Sequence, residues 1–518
     1  MNNDKMNPKE KILNKKHNIK DRPIILTAVL FAIQLVILLI AILRIGSYSS
    51  TLTVLLTLLG IVLVIYIATQ DLHPSYKLSW VVPMGIFPVF GGLLYIFIKL
   101  MPGTSKIIRK LEKNIEKTRK NFKQNAEVME EFRQKDSRFA RLFDYLYSRG
   151  TYPIYKNTIS SYYSSGEEAA PAILEELERA EKFIFMEYFI IKSGDFLDEV
   201  LEILEKKAKS GVEVRLMYDG ATMLFLPSDF EKRLAEMGIK AKIFNPIAPI
   251  LSTYQNNRDH RKILVVDGKV AFTGGMNIAD EYLNLKSPFG YWADNAIKIE
   301  GEAVKSFTAM FLEMYNIQGE EVIHLSDYTG IDYKRSEGQN FYIPYGDAPD
   351  DGESIAENIY TNILNLSKDY VDIISPYLIL GSEMITGLKF TAKKGVKVRI
   401  IMPKIPDKKI PFLVARGYYK ELIEAGVEIY EYTPGFIHSK VFVSDKRIAT
   451  VGTVNLDFRS LYLHFENGVV IYGDVFDIQK DFDTKLAQSR KIKLEDINKS
   501  PWIERFLGVV LRVFGPLM

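Results

Sequence analysis

The chain has 518 residues, and its 67 Lys and Arg against 64 Asp and Glu leave a formal charge of only +3, without the basic footprint of a nucleic-acid binder. It has no cysteine, which excludes disulfides, thiol nucleophiles and cysteine-ligated zinc. With 47% hydrophobic and 25% charged residues, it can hold two globular lobes of about 180 residues each and a separate apolar module.

Residues 1–22 form a basic tail in which Lys5, Lys9, Lys11, Lys15, Lys16, Lys20 and Arg22 precede the first apolar stretch. An apolar module over 23–101 follows. Its stretches 23–43 and 51–69 carry no charge and are long enough for a hydrocarbon core of about 30 Å at about 1.5 Å per residue. A third stretch, 78–98, is interrupted by Pro83, Gly85, Pro88, Gly91 and Gly92. The long polar lead and the missing small-residue cleavage site argue against a cleaved signal peptide. Basic residues flank the module on both sides, which favours an even number of crossings. The expectation is a transmembrane helical module forming a two-span hairpin closed by Arg44–Ser50, with 78–98 re-entrant or interfacial. The protein would then be multi-pass in a cell membrane, with the remaining lobes on the cytoplasmic side.

Residues 102–150 read as a basic helical linker with Ile107, Ile108, Leu111 and Ile115 on one face. It is either a solvated connector or a helix lying on anionic lipid, and its place directly after the apolar module favours the second.

From 151 the pattern alternates. Helix-period segments such as 169–181 and 195–210 separate short apolar runs bounded by Gly, Asp or Pro, which predicts an α/β sandwich. The chain then repeats itself. His260, Lys262 and Asp267 form H-x-K-x-x-x-x-D, and His438, Lys440 and Asp445 restore the same spacing. Glycine-rich turns ending in Asn277 and Asn455 follow each copy, and Gly211–Asp219 matches Gly395–Pro403 upstream. A period of roughly 180 residues is too long for a solenoid, whose units run about 20 to 50, and implies two domain-sized lobes, 151–330 and 331–497. The fold class is therefore α/β, two duplicated sandwich lobes sharing one pseudo-twofold site.

The apolar runs 263–266 and 441–443 read as strands, and strand residues two apart point to one face, so each His and Lys pair meets a common ligand. Lys suits phosphate, Asn277 and Asn455 add neutral donors, and imidazole serves as nucleophile or acid near neutral pH. A phosphoryl centre fits all three. One His would attack phosphorus while the other protonates the leaving alkoxide, and water or a second alcohol would open the phosphohistidine. The scheme calls for no metal and no cofactor. His17, His73 and His324 lie outside paired contexts and read as solvated or structural, whereas His464 stands beside Glu466 and is ambiguous.

Beyond the triplets stand Gly274-Gly275-Met276-Asn277, Tyr291-Trp292-Ala293-Asp294, Thr453-Val454-Asn455-Leu456-Asp457-Phe458-Arg459-Ser460 and Phe465-Glu466-Asn467. With them the chain resembles the phospholipase D superfamily, most closely bacterial cardiolipin synthases. The resemblance implies joining two phosphatidylglycerol molecules into cardiolipin with release of glycerol, with His260, Lys262, Asp267, His438, Lys440 and Asp445 as the catalytic set. By spacing and position on the following strand, Asp294 and Glu466 are candidates for orienting the imidazoles, Asn277 and Asn455 are candidates for binding substrate, and the motif aspartates act either in catalysis or structurally, through hydrogen bonds that fix the loop. Ala293 stands where such enzymes often carry Arg, and His464 where Asn is common.

Three function classes follow: phosphatidyl transfer, hydrolysis of a phospholipid or nucleic acid by the same covalent step, and a non-catalytic scaffold. Intact triplets weigh against the scaffold, and the balanced charge and apolar stretches against a nucleic-acid partner. The expected partners are phosphatidylglycerol and anionic lipid. Apolar loops at 244–251 and 411–413 are candidates to receive acyl chains, and 498–518 reads as an amphipathic segment or a lobe-docking helix.

Overall fold

The computed structural model describes residues 50–100, 105–120, 122–247, 256–319, 322–331, 333, 338–349 and 352–517. The chain divides into two compact units, Met1–Thr104 with Pro246–Asn256, and Ser105–Asn245 with Asn257–Met518.

In the first unit, helices Ser50–Thr69, Pro74–Ile86 and Pro88–Leu100 enclose a small core of Ile67, Trp80, Met84 and Tyr95. The expected span 23–43 lies outside the described residues. Stretch 78–98 is cut at Phe87, because Pro88 has no N–H to continue the helix, and each resulting 13-residue piece reaches only about 20 Å. Among the described residues no helix is long and apolar enough to cross a membrane. The expected multi-pass placement with cytoplasmic lobes is corrected on that finding.

The second unit begins with helices Ser105–Arg119, Ala126–Lys135 and Ser137–Gly150. Ile108 and Leu111 are buried in the core, with Ile107 and Ile115 packed beside them, and the first helix lies against helix Val304–Tyr315. Arg119 forms a buried bidentate pair with Glu313 at 2.5 and 2.6 Å. The apolar face expected to lie on lipid is thus covered by protein.

The duplication appears strand for strand. One sheet runs Thr158–Tyr163, Ala296–Gly301, Val270–Gly274, Lys262–Val266, Phe183–Tyr188, Glu213–Asp219, Lys240–Phe244. The other runs Phe341–Asp347, Glu466–Tyr472, Ile448–Gly452, Val441–Ser444, Tyr370–Ile374, Lys397–Pro403, Glu428–Tyr432, with Ser489–Lys491 added at the edge. In each, three strands are parallel and the motif strand pairs antiparallel on both sides. Such strands are covered on both faces, which accounts for their unbroken apolar runs. Every residue of Lys262–Val266 and of Val441–Ser444 is buried. A single apolar core joins the lobes, running from Phe185, Ile263 and Val265 through Phe307 and Phe311 to Ile374, Val443 and Val469.

Candidate active site

Each motif strand begins where the chain enters the sheet, which places its His and Lys at one end and its Asp at the other. At about 3.3 Å per residue, the five positions from Lys262 to Asp267 separate the two by about 16 Å. Asp267 and Asp445 sit at the hairpin turns with φ of 53° and 52°. Their carboxylates are fully engaged there. Asp267 accepts N–H groups from Glu181, Lys182 and Phe183 at 2.9, 2.7 and 2.9 Å, and Asp445 accepts those of Lys368, Asp369 and Tyr370 at 2.9 to 3.0 Å. The structure thus places the two motif aspartates outside the cluster expected from the resemblance, because each is consumed in fixing the start of the neighbouring strand. Asp267→Asn turns an NH2 toward one of these donors. It should cost about 1–3 kcal/mol of stability, measured by urea unfolding, while kcat of the folded protein stays near wild type.

The remaining motif residues converge, and they do so across the lobes. His260 Nδ1 lies 2.9 Å from Glu466 Oε2 in the second lobe, and His438 Nδ1 lies 2.7 Å from Asp294 Oδ2 in the first. Backbone bonds hold the crossing in place: His260 N–H donates to Phe465 O at 2.9 Å and His438 N–H to Ala293 O at 2.7 Å. Short strands Tyr291–Ala293 and Gly435–Ile437 pair in parallel just before the second histidine. Lys262 Nζ donates to His260 O at 2.7 Å, and Lys440 Nζ to His438 O. Both lysines are buried, at 1% and 2% exposure, so they cannot be mere surface charges.

Burial governs the protonation states. It pulls His260 down to about 3 and His438 to about 4, against the raising pull of Glu466 and Asp294. Burial works to raise both carboxyls, but the facing imidazoles outweigh it and hold Glu466 and Asp294 below the usual carboxylate range. The site thus holds neutral imidazoles beside carboxylates, each Nδ1–H donating to its partner, which leaves Nε2 with a free lone pair. Burial also lowers Lys262 to about 8 and Lys440 to about 7, against the raising pull of both carboxylates. A lysine must be cationic to bind phosphate, so kcat/KM should fall as pH rises through about 7 to 8. A pH profile flat across that range would contradict the role given to the lysines.

Asn277 accepts Ile190 N–H at 3.0 Å and donates to Tyr282 Oη at 2.6 Å, while Asn455 donates to Ser460 Oγ at 3.1 Å and its Oδ1 is buried without a partner. Both are buried beside their motif strands, each held by its own turn. His464 joins the cluster, with its ring 5.6 Å from that of His260 and Nδ1 3.7 Å from Glu466 Oε1. Among the described residues, His260, His464 and Glu466 are the one group with metal-ligand spacing, their donor atoms within 4.8 Å of one another. His260 Nδ1 and Glu466 Oε2 already bond each other, so a cation there would compete with the contact that orients the imidazole.

Sequence reasoning missed several contributors. Thr453 Oγ1 donates to Glu466 Oε2. Its counterpart is Gly275, where a Cβ would stand 2.0 Å from Asp294 Oδ1, so only glycine lets the carboxylate approach. Lys485 is buried and donates to Asp294 O at 3.3 Å and Ser439 Oγ at 3.2 Å. Asn467 accepts Lys262 N–H at 3.2 Å and donates to Thr273 Oγ1 at 2.8 Å across the lobes. The Thr/Gly difference at equivalent turns was a readable signal; Lys485 lies outside the repeated motif and gave none. Of the apolar loops expected to take acyl chains, 248–255 lies outside the described residues, and Pro411–Leu413 falls within helix Lys409–Glu424.

A duplicated α/β sandwich whose two His-x-Lys pairs are completed across the lobes is a phospholipase D-type fold and site. The family model described as "Cardiolipin synthase, PLD-like domain" matches residues 173–315 and 360–489, one segment in each lobe. The chain is 33% identical to a cardiolipin synthase of Alkalihalophilus pseudofirmus over 90% of this chain and 94% of that one. It is 32% identical to a cardiolipin synthase of Halalkalibacterium halodurans over 92% and 94%. An uncharacterised Streptococcus mutans protein is 43% identical over 88% of this chain and 99% of its own. In fold, the crystal structure of phosphatidylserine synthase from Haemophilus influenzae aligns with a TM-score of 0.54 at 15% identity, covering 73% of this chain and all of that one. The chain belongs to the cardiolipin synthase, PLD-like family, and it is a phosphatidyltransferase of the phospholipase D superfamily.

Proposed function

We propose that this enzyme transfers a phosphatidyl group between two phosphatidylglycerol molecules, giving cardiolipin and glycerol. The observation that carries the chemistry is the pair of buried neutral imidazoles, each bonded through Nδ1 to a carboxylate of the other lobe. Relatives named cardiolipin synthase at 32 and 33% identity support the choice of substrate.

Nε2 of one imidazole attacks phosphorus of the first phosphatidylglycerol, and the P–O bond to glycerol breaks. The other imidazole, protonated as the anionic diester binds, gives its proton to the leaving alkoxide. Glycerol departs, and the phosphohistidine is left facing a neutral imidazole. That imidazole takes the proton from a hydroxyl of the second phosphatidylglycerol, whose oxygen attacks phosphorus and frees the first histidine. Lys262 and Lys440 neutralise the non-bridging oxygens, and Asn277 and Asn455 contribute neutral donors.

Incubating the purified full-length protein with phosphatidylglycerol and analysing products by mass spectrometry tests this reading. Cardiolipin and glycerol in equal amounts are expected. Phosphatidic acid in their place would make water the acceptor and the enzyme a hydrolase, and no turnover would remove phosphatidylglycerol as substrate.

A further inference from the structure

The C-terminal helix Trp502–Leu511 is built inside out. Gly508 is its one buried residue, while Trp502, Ile503, Phe506, Leu507, Val509 and Val510 are all exposed. At about 100° per residue these six cover an arc of about 160°, and Gly508 lies opposite its centre. The glycine edge is the docking edge. A Cβ on Gly508 would meet Leu413 O at 2.7 Å, and one on Gly417 would meet Gly508 O at 2.7 Å, so this helix and helix Lys409–Glu424 touch backbone to backbone. Arg512 fixes the arrangement, bonding Gly417 O at 3.3 Å and Glu421 at 3.0 Å with its guanidinium 4.0 Å from the Tyr418 ring centroid. A helix held this closely keeps its apolar face outward by construction.

From these features we infer that this helix, together with the entry to helix Lys409–Glu424, is a docking surface for an anionic phospholipid bilayer. A contiguous exposed apolar face marks an interaction site, and an aromatic residue at its edge suits a lipid–water interface. Charge complementarity selects the occupant: Lys404, Lys408, Lys409 and Arg505 are exposed, Ile405 and Ile410 stand among the three lysines, and Glu504 is the one acid on the helix. The surface also adjoins the catalytic elements. Gly515 lies against Ile379, whose strand pairs with Leu456–Asp457 directly after Asn455, and Tyr377 donates to Asp407 at 2.6 Å. Docking here sets the site beside the phase that holds a phospholipid substrate.

The protein carries its own probe. Of its three tryptophans, Trp80 and Trp292 are 7% exposed and Trp502 is 68% exposed. The full chain is mixed with phosphatidylglycerol and phosphatidylcholine vesicles brominated on their acyl chains, and tryptophan emission is read. Quenching by phosphatidylglycerol vesicles that falls several-fold in Trp502→Phe is expected. The Lys408→Glu/Lys409→Glu variant should partition about tenfold more weakly onto phosphatidylglycerol vesicles and unchanged onto neutral ones. Quenching identical in Trp502→Phe, or no quenching, would overturn the inference. So would a Trp502 blue shift that grows with protein concentration in the absence of lipid, which would assign the face to a second copy of the chain. None of these readouts requires turnover, so a chain that docks but makes no cardiolipin would lose the proposed reaction and keep the surface.

Discussion

His260→Ala and His438→Ala are each expected to lower kcat by about 10⁴-fold or more, and the double variant no further, because in the proposed mechanism the two imidazoles act on one phosphorus in one sequence of steps. The two variants should separate in a second measurement. A substrate with a good leaving group, such as a nitrophenyl diester, needs little help from an acid. The variant lacking the acid should still form a phosphohistidine from it, while the variant lacking the nucleophile should form none. Radiolabelled phosphoenzyme that survives both replacements would remove the covalent scheme altogether. Neither substitution should unfold the protein, since each removes a buried polar ring whose backbone N–H remains bonded to the opposite lobe.

Glu466→Gln and Asp294→Asn should each lower kcat by about 10³–10⁴-fold while leaving the fold intact. In the proposed mechanism the carboxylate fixes the tautomer that leaves Nε2 unprotonated and stabilises the imidazolium formed as the proton moves. An amide can present its NH2 to Nδ1, which then accepts, leaving the proton on the nitrogen that should attack. A second readout separates this from mere structural damage. Glu466 raises Lys262 against its burial, so its loss should move the alkaline limb of kcat/KM to lower pH. Loss of activity with an unmoved pH profile would assign the carboxylate a scaffolding role only.

The duplication, the α/β alternation and the His-x-Lys face were legible because each is a local pattern: strand period, turn residues and motif spacing. Asp294 and Glu466 could be named as orienting groups from their place after each motif. Which histidine each one serves is a tertiary fact set by the strands Tyr291–Ala293 and Gly435–Ile437 meeting in parallel. Asp267 and Asp445 stand apart from the imidazoles because a motif records that residues recur together, not that they touch, and strands of five and four residues carry them away, which fits the loop-fixing role the sequence also allowed them. The basic face of Ser105–Arg119 pointed to lipid because periodicity shows that an apolar stripe is covered without showing by what. Here the cover is helix Val304–Tyr315. Apolar length suggested spans at 23–43 and 51–69, of which the first lies outside the described residues, and among the described residues no helix is long and apolar enough to cross a membrane; the Pro88 break falls in 78–98, the stretch expected to be re-entrant or interfacial.

Because each histidine takes its carboxylate from the other half, neither half on its own contains a complete imidazole–carboxylate couple. A single-lobe ancestor would have had working couples only as a symmetric pair of identical chains, with each copy completing the other's histidine. Two copies joined in one polypeptide need no such association, and their equivalent positions can differ, as Gly275 and Thr453 do beside their carboxylates. Under the proposed mechanism the two histidines take the separate parts of nucleophile and acid, and Gly275 and Thr453 give the two sides different surroundings.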